Sequence, residues 1–443
     1  MTQKITPTIF IALLNIFMLA VINGLQLMTQ TPLRFVNKFR MPGTDYQDFY
    51  GASIHALAGE SPYLTERYVT PPLFSVVNVP LAILEFGTAR VIFISLIPLT
   101  ILLSYFLIYR SLKIPGTRDD IWQLTGGLVV ILFSYPFYFL FERGNIDGIV
   151  LLCMCLGLYL ESRRQWQSGM LFSMAILFKI YPILIMAWLF ITRRWKVFLW
   201  VCAWVFIFSI LTGPSWGSYV ERFTDRVKES KLEENGGLVN TILFLYGLFD
   251  QRVLGQIIAK AHISPPVWRF VQVFSLFLWA GMGGILMFTD YKLHKVLPAS
   301  QKIIYALMYF PFMVAFPRTV FHYSFIILIA LLPCLDYLWG TASSKSKRHA
   351  LIIISLGIAL SQWQAVALYV LTKNVISNYI PGIGLLLSMM GISWYKLLEL
   401  KEMYSFRSVS PIDDPQKSDM LDFGDNTEKP VLTASFHAKV NWG

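Results

Sequence analysis

Polar and charged side chains in or bordering apolar sequence fall on one predicted side of a membrane, in four short stretches: 44–50 (TDYQDFY), 141–147 (FERGNID), 178–182 (FKIYP) and 317–322 (PRTVFH). The candidates among them are the two carboxylates of the first stretch, Asp45 and Asp48, and three cations, Arg143, Lys179 and Arg318. Asn145, Asp147, His322 and Tyr50 complete the set. A carboxylate at the edge of a low-dielectric region makes a good general base, because desolvation brings such groups toward the working pH. Cations at the same edge suit phosphate, lysine as a point charge and arginine as a two-pronged donor. Charge beside hydrocarbon is costly, and where it is retained it reads first as a functional site. The chemistry this set suits is reaction at a phosphate-bearing, lipid-borne substrate that enters sideways from the bilayer.

Each residue also has a plainer reading. Thr44 or Asp45 stands where a helix N-cap would. Lys179 could snorkel to the surface, and Arg143 and Arg318 could serve as interfacial anchors. His322 could be a satisfied core histidine, and Asn145 and Asp147 could bind sugar hydroxyls or only complete a tight turn. Asp45-x-x-Asp48 offers two hard oxygen ligands, fewer than Mg²⁺ or Ca²⁺ gathers. No His/Cys cluster exists, so no cofactor is expected, with a divalent metal left open.

The elements that must position these side chains are membrane helices. Of 443 residues 56% are hydrophobic and only 14% charged, against about 25% charged in soluble proteins. The net charge of +11 does not imply nucleic acid, because the cations cluster in short connections as cytoplasmic loops do. Cys153, Cys155, Cys202 and Cys334 all lie in apolar runs and read as small core residues. Apolar runs at 9–28, 88–109, 121–141, 146–161, 196–213, 268–289, 303–317, 320–339, 350–372 and 380–397 predict spans. The first reads as a retained helix, with no small-residue cleavage site after it. Cation-rich loops 110–118, 162–166, 193–196, 291–302 and 343–349 are expected inside.

Parity then forces two readings. The run 71–86, broken by Pro71, Pro72 and Pro80, is interfacial. The run between Arg164 and Arg193 has both ends inside, so it is two short helices meeting at 179–182, where Pro182 ends the first. The expected fold is an all-α polytopic bundle of about twelve membrane segments, with both termini cytoplasmic. Residues 1–403 form one transmembrane domain with outer loops 29–70 and 214–267, and 404–443 form a polar, disordered cytoplasmic tail. Ala52, Ile54 and Leu57 predict a short amphipathic helix along the outer interface. Charges on the cytoplasmic side are expected in loops and not inside spans.

The order of TDYQDFYGASIHALAGESPY, VTPPLFSVVNVPLAILEF, RGNIDGIVLLCMCLGLYL and SGMLFSMAILFKIYPILIMAWLFITRRW resembles glycosyltransferase family 87. That family comprises polyprenyl-phosphate-sugar-dependent bacterial membrane enzymes, among them mycobacterial mannosyltransferases of phosphatidylinositol mannoside synthesis. The resemblance spans about residues 8–400 and is strongest in the first outer loop and the Lys-x-x-Pro segment. It implies a GT-C-like bundle with an extracytoplasmic site in a plasma (inner) membrane, a polyprenyl-phosphate-linked sugar donor, a lipid or glycan acceptor, and an aspartate base. The family's aspartate-aromatic motif maps onto Asp45 and Tyr46, with Tyr50 and Ala52 following. Its Gly-Gln-x-Asn turn is here Arg143-Gly144-Asn145-Ile146-Asp147, and of its Ser-Pro…Trp…His segment only Pro317 and His322 remain. Inverting transfer of a hexose, with mannose favoured, follows from the resemblance. The rivals are a lipid-linked sugar flippase, a non-catalytic subunit of an envelope assembly complex, and a ligase using a diphosphate-linked donor.

Overall fold

The computed structural model describes residues 6–29, 43–112, 120–228, 238–258, 263–294, 299–315, 322–362 and 379–409. Among these residues all regular structure is helical. Two compact units divide at Leu400, Met1–Leu400 and Lys401–Gly443.

Helix α1 spans Pro7–Thr29, and its N-terminus is capped from far along the chain. The Thr8 N–H donates to Asp336 Oδ1 at 2.9 Å, and the Thr8 hydroxyl donates to the Leu332 carbonyl. Next come α2 (Thr44–Leu57), a 3₁₀ turn at Pro62–Leu64, and the fragments α3 (Leu73–Val77) and α4 (Val79–Ala82). The prolines break 71–86 into short pieces, as the sequence predicts. Helix α5 (Phe86–Leu112) is a full span.

The stretch 121–141, expected as one span, is two helices. These are α6 (Asp120–Leu132) and α7 (Tyr135–Arg143), bent by 52°. Pro136 sits in the first turn of α7 and Ser134 caps it by accepting from the Phe137 N–H, so a new helix starts there.

Helices α8 (Asp147–Leu160), α9 (Gln165–Phe178), α10 (Leu184–Ile191) and α11 (Trp195–Leu211) follow. Small residues let them pack closely. Ser168 Oγ donates to the Gly157 carbonyl and Ser173 Oγ to the Val201 carbonyl, and Gly169 lies against Trp200. Two ion pairs fix the ends: Lys179 lies 3.7 Å from Asp147, and Arg194 lies 2.6 Å from Glu161. The chain between Arg164 and Arg194 therefore leaves one end of α8 and returns to it, a hairpin turning at 179–182.

After an 84° turn the chain runs into α12 (Trp216–Lys228), then α13 (Leu238–Phe249) and α14 (Gln251–Ile258). Helix α15 (Pro265–Leu293) is a second full span. The expected span 303–317 is α16 (Ala299–Leu307) and α17 (Phe310–Ala315), interrupted ahead of Pro311. A 3₁₀ segment, His322–Leu331, leads into α18 (Leu332–Thr341). Helices α19 (Lys345–Ser361) and α20 (Ile380–Val409) complete the set, α20 running past residue 403. The rest of the expected tail and of the span 350–372 lies outside the described residues.

By length and composition four described helices can cross a membrane, or six with each bent pair taken as one. Several shorter apolar helices accompany them. This is a multi-pass membrane protein, and prolines and hairpins divide the apolar sequence more finely than about twelve simple spans. One further expectation fails. Cys202 is exposed on α11 while the other three cysteines are buried, because it falls on the outward stripe of an apolar helix. Charge also lies inside apolar helices: Lys396 of α20 is fully buried 3.0 Å from Asp290 of α15 and 3.4 Å from Glu399. Its ammonium stands over the Tyr305 ring of α16, whose hydroxyl donates to Glu399.

Candidate active site

Two glycines bring the first pair of charged stretches together. Gly43 occupies the N-cap position of α2 with φ +97°, so Thr44 and Asp45 lie within the helix and neither caps it. Gly144 ends α7 with φ +65°. The Gly43 N–H donates to the Glu142 carbonyl at 2.7 Å, and a Cβ on Gly144 would stand 2.8 Å from Gly43 Cα. Only bare backbone permits this approach. We expect Gly144→Ala to lower the thermal unfolding temperature and to cost at least the ~1–2 kcal/mol of a left-handed alanine, measured by scanning fluorimetry in detergent.

That contact delivers Arg143 and Asn145 to Asp45. Arg143 Nη2 lies 2.6 Å from Asp45 Oδ1, and Asn145 Nδ2 donates to Oδ2 at 2.8 Å. The Asn145 side-chain oxygen Oδ1 accepts the Ile146 N–H at 2.8 Å, which fixes the orientation of the amide. Both carboxylate oxygens are thus held. The Asp45 side chain remains 14% exposed and Arg143 41%, so the pair meets solvent at the end of the bundle.

Beside it is a second, buried carboxylate. Asp147 opens α8 and is fully enclosed. Its Oδ1 accepts from the Tyr181 hydroxyl and from Ser324 Oγ at 3.4 Å, and Lys179 Nζ stands near Oδ2. Lys179 ends α9 in extended backbone, ahead of the Tyr181–Ile183 turn that Pro182 begins. Tyr181 and Ser324 are partners that the sequence reading does not single out. Tyr181 lies inside FKIYP, whereas Ser324 carries no signal beyond a hydroxyl in an apolar run.

The remaining predicted residues are placed as follows. Tyr50 donates its hydroxyl to the Leu84 carbonyl at 2.8 Å, tying α2 to the following loop. Asp48 is half-buried one turn along α2 from Asp45. Tyr46 stacks on Phe93 at 4.4 Å, and burial pushes its phenol up to about 12. It stays protonated near neutral pH and leaves proton acceptance to a carboxylate. Arg318 lies outside the described residues. His322 opens the 3₁₀ segment that carries Ser324, and its side chain lies outside the described set. Among the described residues no group of three or more His, Cys, Asp or Glu could hold a metal ion.

The chain resembles glycosyltransferase family 87, whose family model matches residues 68–279. The match covers Arg143–Asp147 and Lys179–Pro182 but begins after Asp45 and ends before His322, a shorter extent than the motifs alone suggest. Relatives are GPI mannosyltransferase 1 of Saccharomyces cerevisiae, 29% identical over 151 residues, covering 33% of this chain and 35% of that protein. The same-named protein of Eremothecium gossypii is 33% identical over 149 residues, covering 32% and 34%. That of Kluyveromyces lactis is 29% identical over 144 residues. The chain spans about a third of the length of these relatives. Among solved structures, ArnT from Cupriavidus metallidurans in the apo state aligns at TM-score 0.38 and 14% identity, covering 86% of this chain and 76% of that one.

Proposed function

We propose that this protein is a membrane glycosyltransferase. It moves a sugar, with mannose favoured among hexoses, from a polyprenyl-phosphate donor to a lipid or cell-envelope glycan acceptor on the extracytoplasmic face. The family 87 match and the mannosyltransferase relatives support glycosyl transfer in a membrane. The observation that carries the reading is Asp45, gripped through both oxygens by Arg143 and Asn145, at the same end of the hairpin as Lys179.

In this reading the prenyl tail stays in the bilayer and the donor phosphate lies against Lys179, Arg143, Arg318 and His322. The acceptor oxygen attacks the anomeric carbon as its bond to phosphate breaks. Polyprenyl phosphate leaves with the electron pair, and Asp45 takes the acceptor's proton. One displacement inverts the anomeric centre. Cations around the leaving phosphate stabilise charge as it develops, and exclusion of water protects the donor from hydrolysis. Asp147, enclosed beneath Lys179, is a positioning residue that aims the ammonium, and Tyr181 and Ser324 hold it in turn.

The test is purified protein in nanodiscs with radiolabelled polyprenyl-phosphate mannose and a membrane lipid extract as acceptor, scored for labelled product and its anomeric configuration. Transfer only from diphosphate-linked or nucleotide sugars defeats the donor assignment. The orientation has its own test. A membrane-impermeant maleimide applied to intact cells should label Glu66→Cys, and label Arg163→Cys only after permeabilisation. The reverse pattern puts the site on the cytoplasmic side. A flippase would need cations reachable from both faces, and Lys396 is fully enclosed against Asp290.

A further inference from the structure

The end of the hairpin remote from Lys179 gathers charge that the chemistry at Asp45 does not use. Across residues 147–211 the only acids are Asp147 and Glu161, and Asp147 lies at the Lys179 end. At the other end stand Arg163, Arg164, Arg193, Arg194 and Lys196. Helix α9 holds Arg164 about 22 Å from Lys179 by helix rise. Glu161 is already committed. Arg194 Nη1 lies 2.6 Å from its carboxylate, and this pair draws the loop after α8 to the loop before α11. Lys302 of α16 is within electrostatic reach of both partners and adds a further cation.

Among the described residues no acid pairs with Arg163, Arg164, Arg193 or Lys196. Arg163 donates to the Tyr159 hydroxyl and stands over its ring at 5.2 Å, and Arg164 faces Gln167 Oε1 at 3.5 Å. Arg193 and Lys196 are exposed. Helices α9 and α11 begin here with Arg164 and Arg194 at their N-cap positions, and neither has a side-chain cap or an acid in its first turn. A cation in that place adds to the positive end of a helix dipole. The C-termini of α8 and α10 lie at the same end and offset the dipoles, but not the side-chain charge. The excess calls for an anion.

Arg193 is presented at a steric cost. It is the one non-glycine with positive φ (57°) among the described residues. Its N–H donates to the Phe190 carbonyl and that of Arg194 to the Leu189 carbonyl, the pairing that closes a helix through a left-handed residue. Glycine fits such a position without strain, and retained strain points to use of the side chain. The surroundings say what would use it. Trp166, Phe190 and Trp195 are exposed at the same end, and Phe190 and Trp195 pack edge to face at 4.7 Å. Aromatic rings of this kind sit at the headgroup level of a bilayer. The neighbouring cations then stand at the depth of lipid phosphate.

We infer that this end of the hairpin is a binding site for an anionic phospholipid, held through its phosphodiester by Arg163, Arg193 and Lys196. The site is separate from the reaction at Asp45, and either reading can fail without the other.

The experiment is native mass spectrometry of the full chain released from detergent, with dioleoyl phosphatidylglycerol as probe and dioleoyl phosphatidylcholine as its zwitterionic counterpart. Phosphatidylglycerol should be held at least about fivefold more tightly. Arg193→Gly should weaken it about fivefold, the worth of one cation beside an anionic surface. The unfolding temperature of that variant should hold or rise, because glycine relieves the strain. Arg193→Lys, which keeps both charge and strain, should retain most of the affinity. Lys196→Gln should weaken binding severalfold and serves if Arg193→Gly does not fold. Arg348→Gln removes an equal charge from the separate cation-rich loop 343–349 and should change nothing. Inorganic phosphate should not displace the lipid. Equal losses in Arg348→Gln and Arg193→Gly mean diffuse attraction to a basic surface and overturn the site. Equal retention of the two lipids, or unchanged affinity in both Arg193→Gly and Lys196→Gln, overturns it as well. Displacement by inorganic phosphate makes it a site for soluble phosphate and ends the lipid assignment.

Discussion

Asp45→Asn is expected to lower kcat for sugar transfer by about 10²- to 10⁴-fold, the usual worth of a general base, with little change in the donor KM. The substitution keeps the shape of the side chain and an acceptor toward Arg143, while it removes the negative charge of that pair, the acceptor toward Asn145 and the capacity to take a proton. An interaction made in the transition state and not in the ground state shows in kcat and kcat/KM together. Because Asp45 is partly exposed, the unfolding temperature should hold, which separates a catalytic loss from a folding one. Asp48→Asn is the companion measurement. If it, and not Asp45→Asn, removes activity, the base has been assigned to the wrong carboxylate. Full activity in both variants ends the mechanism.

Lys396→Met should destabilise the protein by about 3–5 kcal/mol, the cost of stranding buried charge by removing one partner. Asp290 and Lys396 are both fully buried, and Glu399 nearly so. A triple variant, Lys396→Met with Asp290→Asn and Glu399→Gln, should recover much of the loss, since no charge is then left buried without its partner. Thermal unfolding in nanodiscs measures both. Transfer activity per folded molecule should be unchanged in the triple variant. A large loss there would mean that the cluster takes part in moving substrate, and would favour the flippase.

How much of this could be read from the sequence depends on whether the controlling physics is local. The hairpin at 179–182 was legible, because Pro182 and the cations at 163–164 and 193–194 are neighbours in the chain. The breakage of 71–86 was legible for the same reason. That 44–50, 141–147 and 178–182 share one end followed from counting crossings. The contacts themselves did not. Asp45 meets Arg143 only because Gly43 and Gly144 touch without side chains, and nothing in either local pattern names the other. Ser324 donating to Asp147 was invisible, as serine in an apolar run is compatible with any neighbour. Lys396 was hidden by averaging, because one cation among apolar residues at 380–397 barely moves a hydropathy window. Asp336 reaches Thr8 across most of the chain, and a cap of that kind leaves no mark on the helix it serves.

The Asp290–Lys396 pair also orders biosynthesis in time. The carboxylate leaves the ribosome about a hundred residues before the ammonium, a delay of roughly 5–20 seconds at ordinary elongation rates. Through that interval α15 carries an acid whose final place is dry, and no partner yet exists to neutralise it. An ionised acid of that kind disfavours burial of α15 until α20 supplies its counter-ion. The counter-ion on α20 thus ties the burial of α15 to residues that emerge about a hundred positions later.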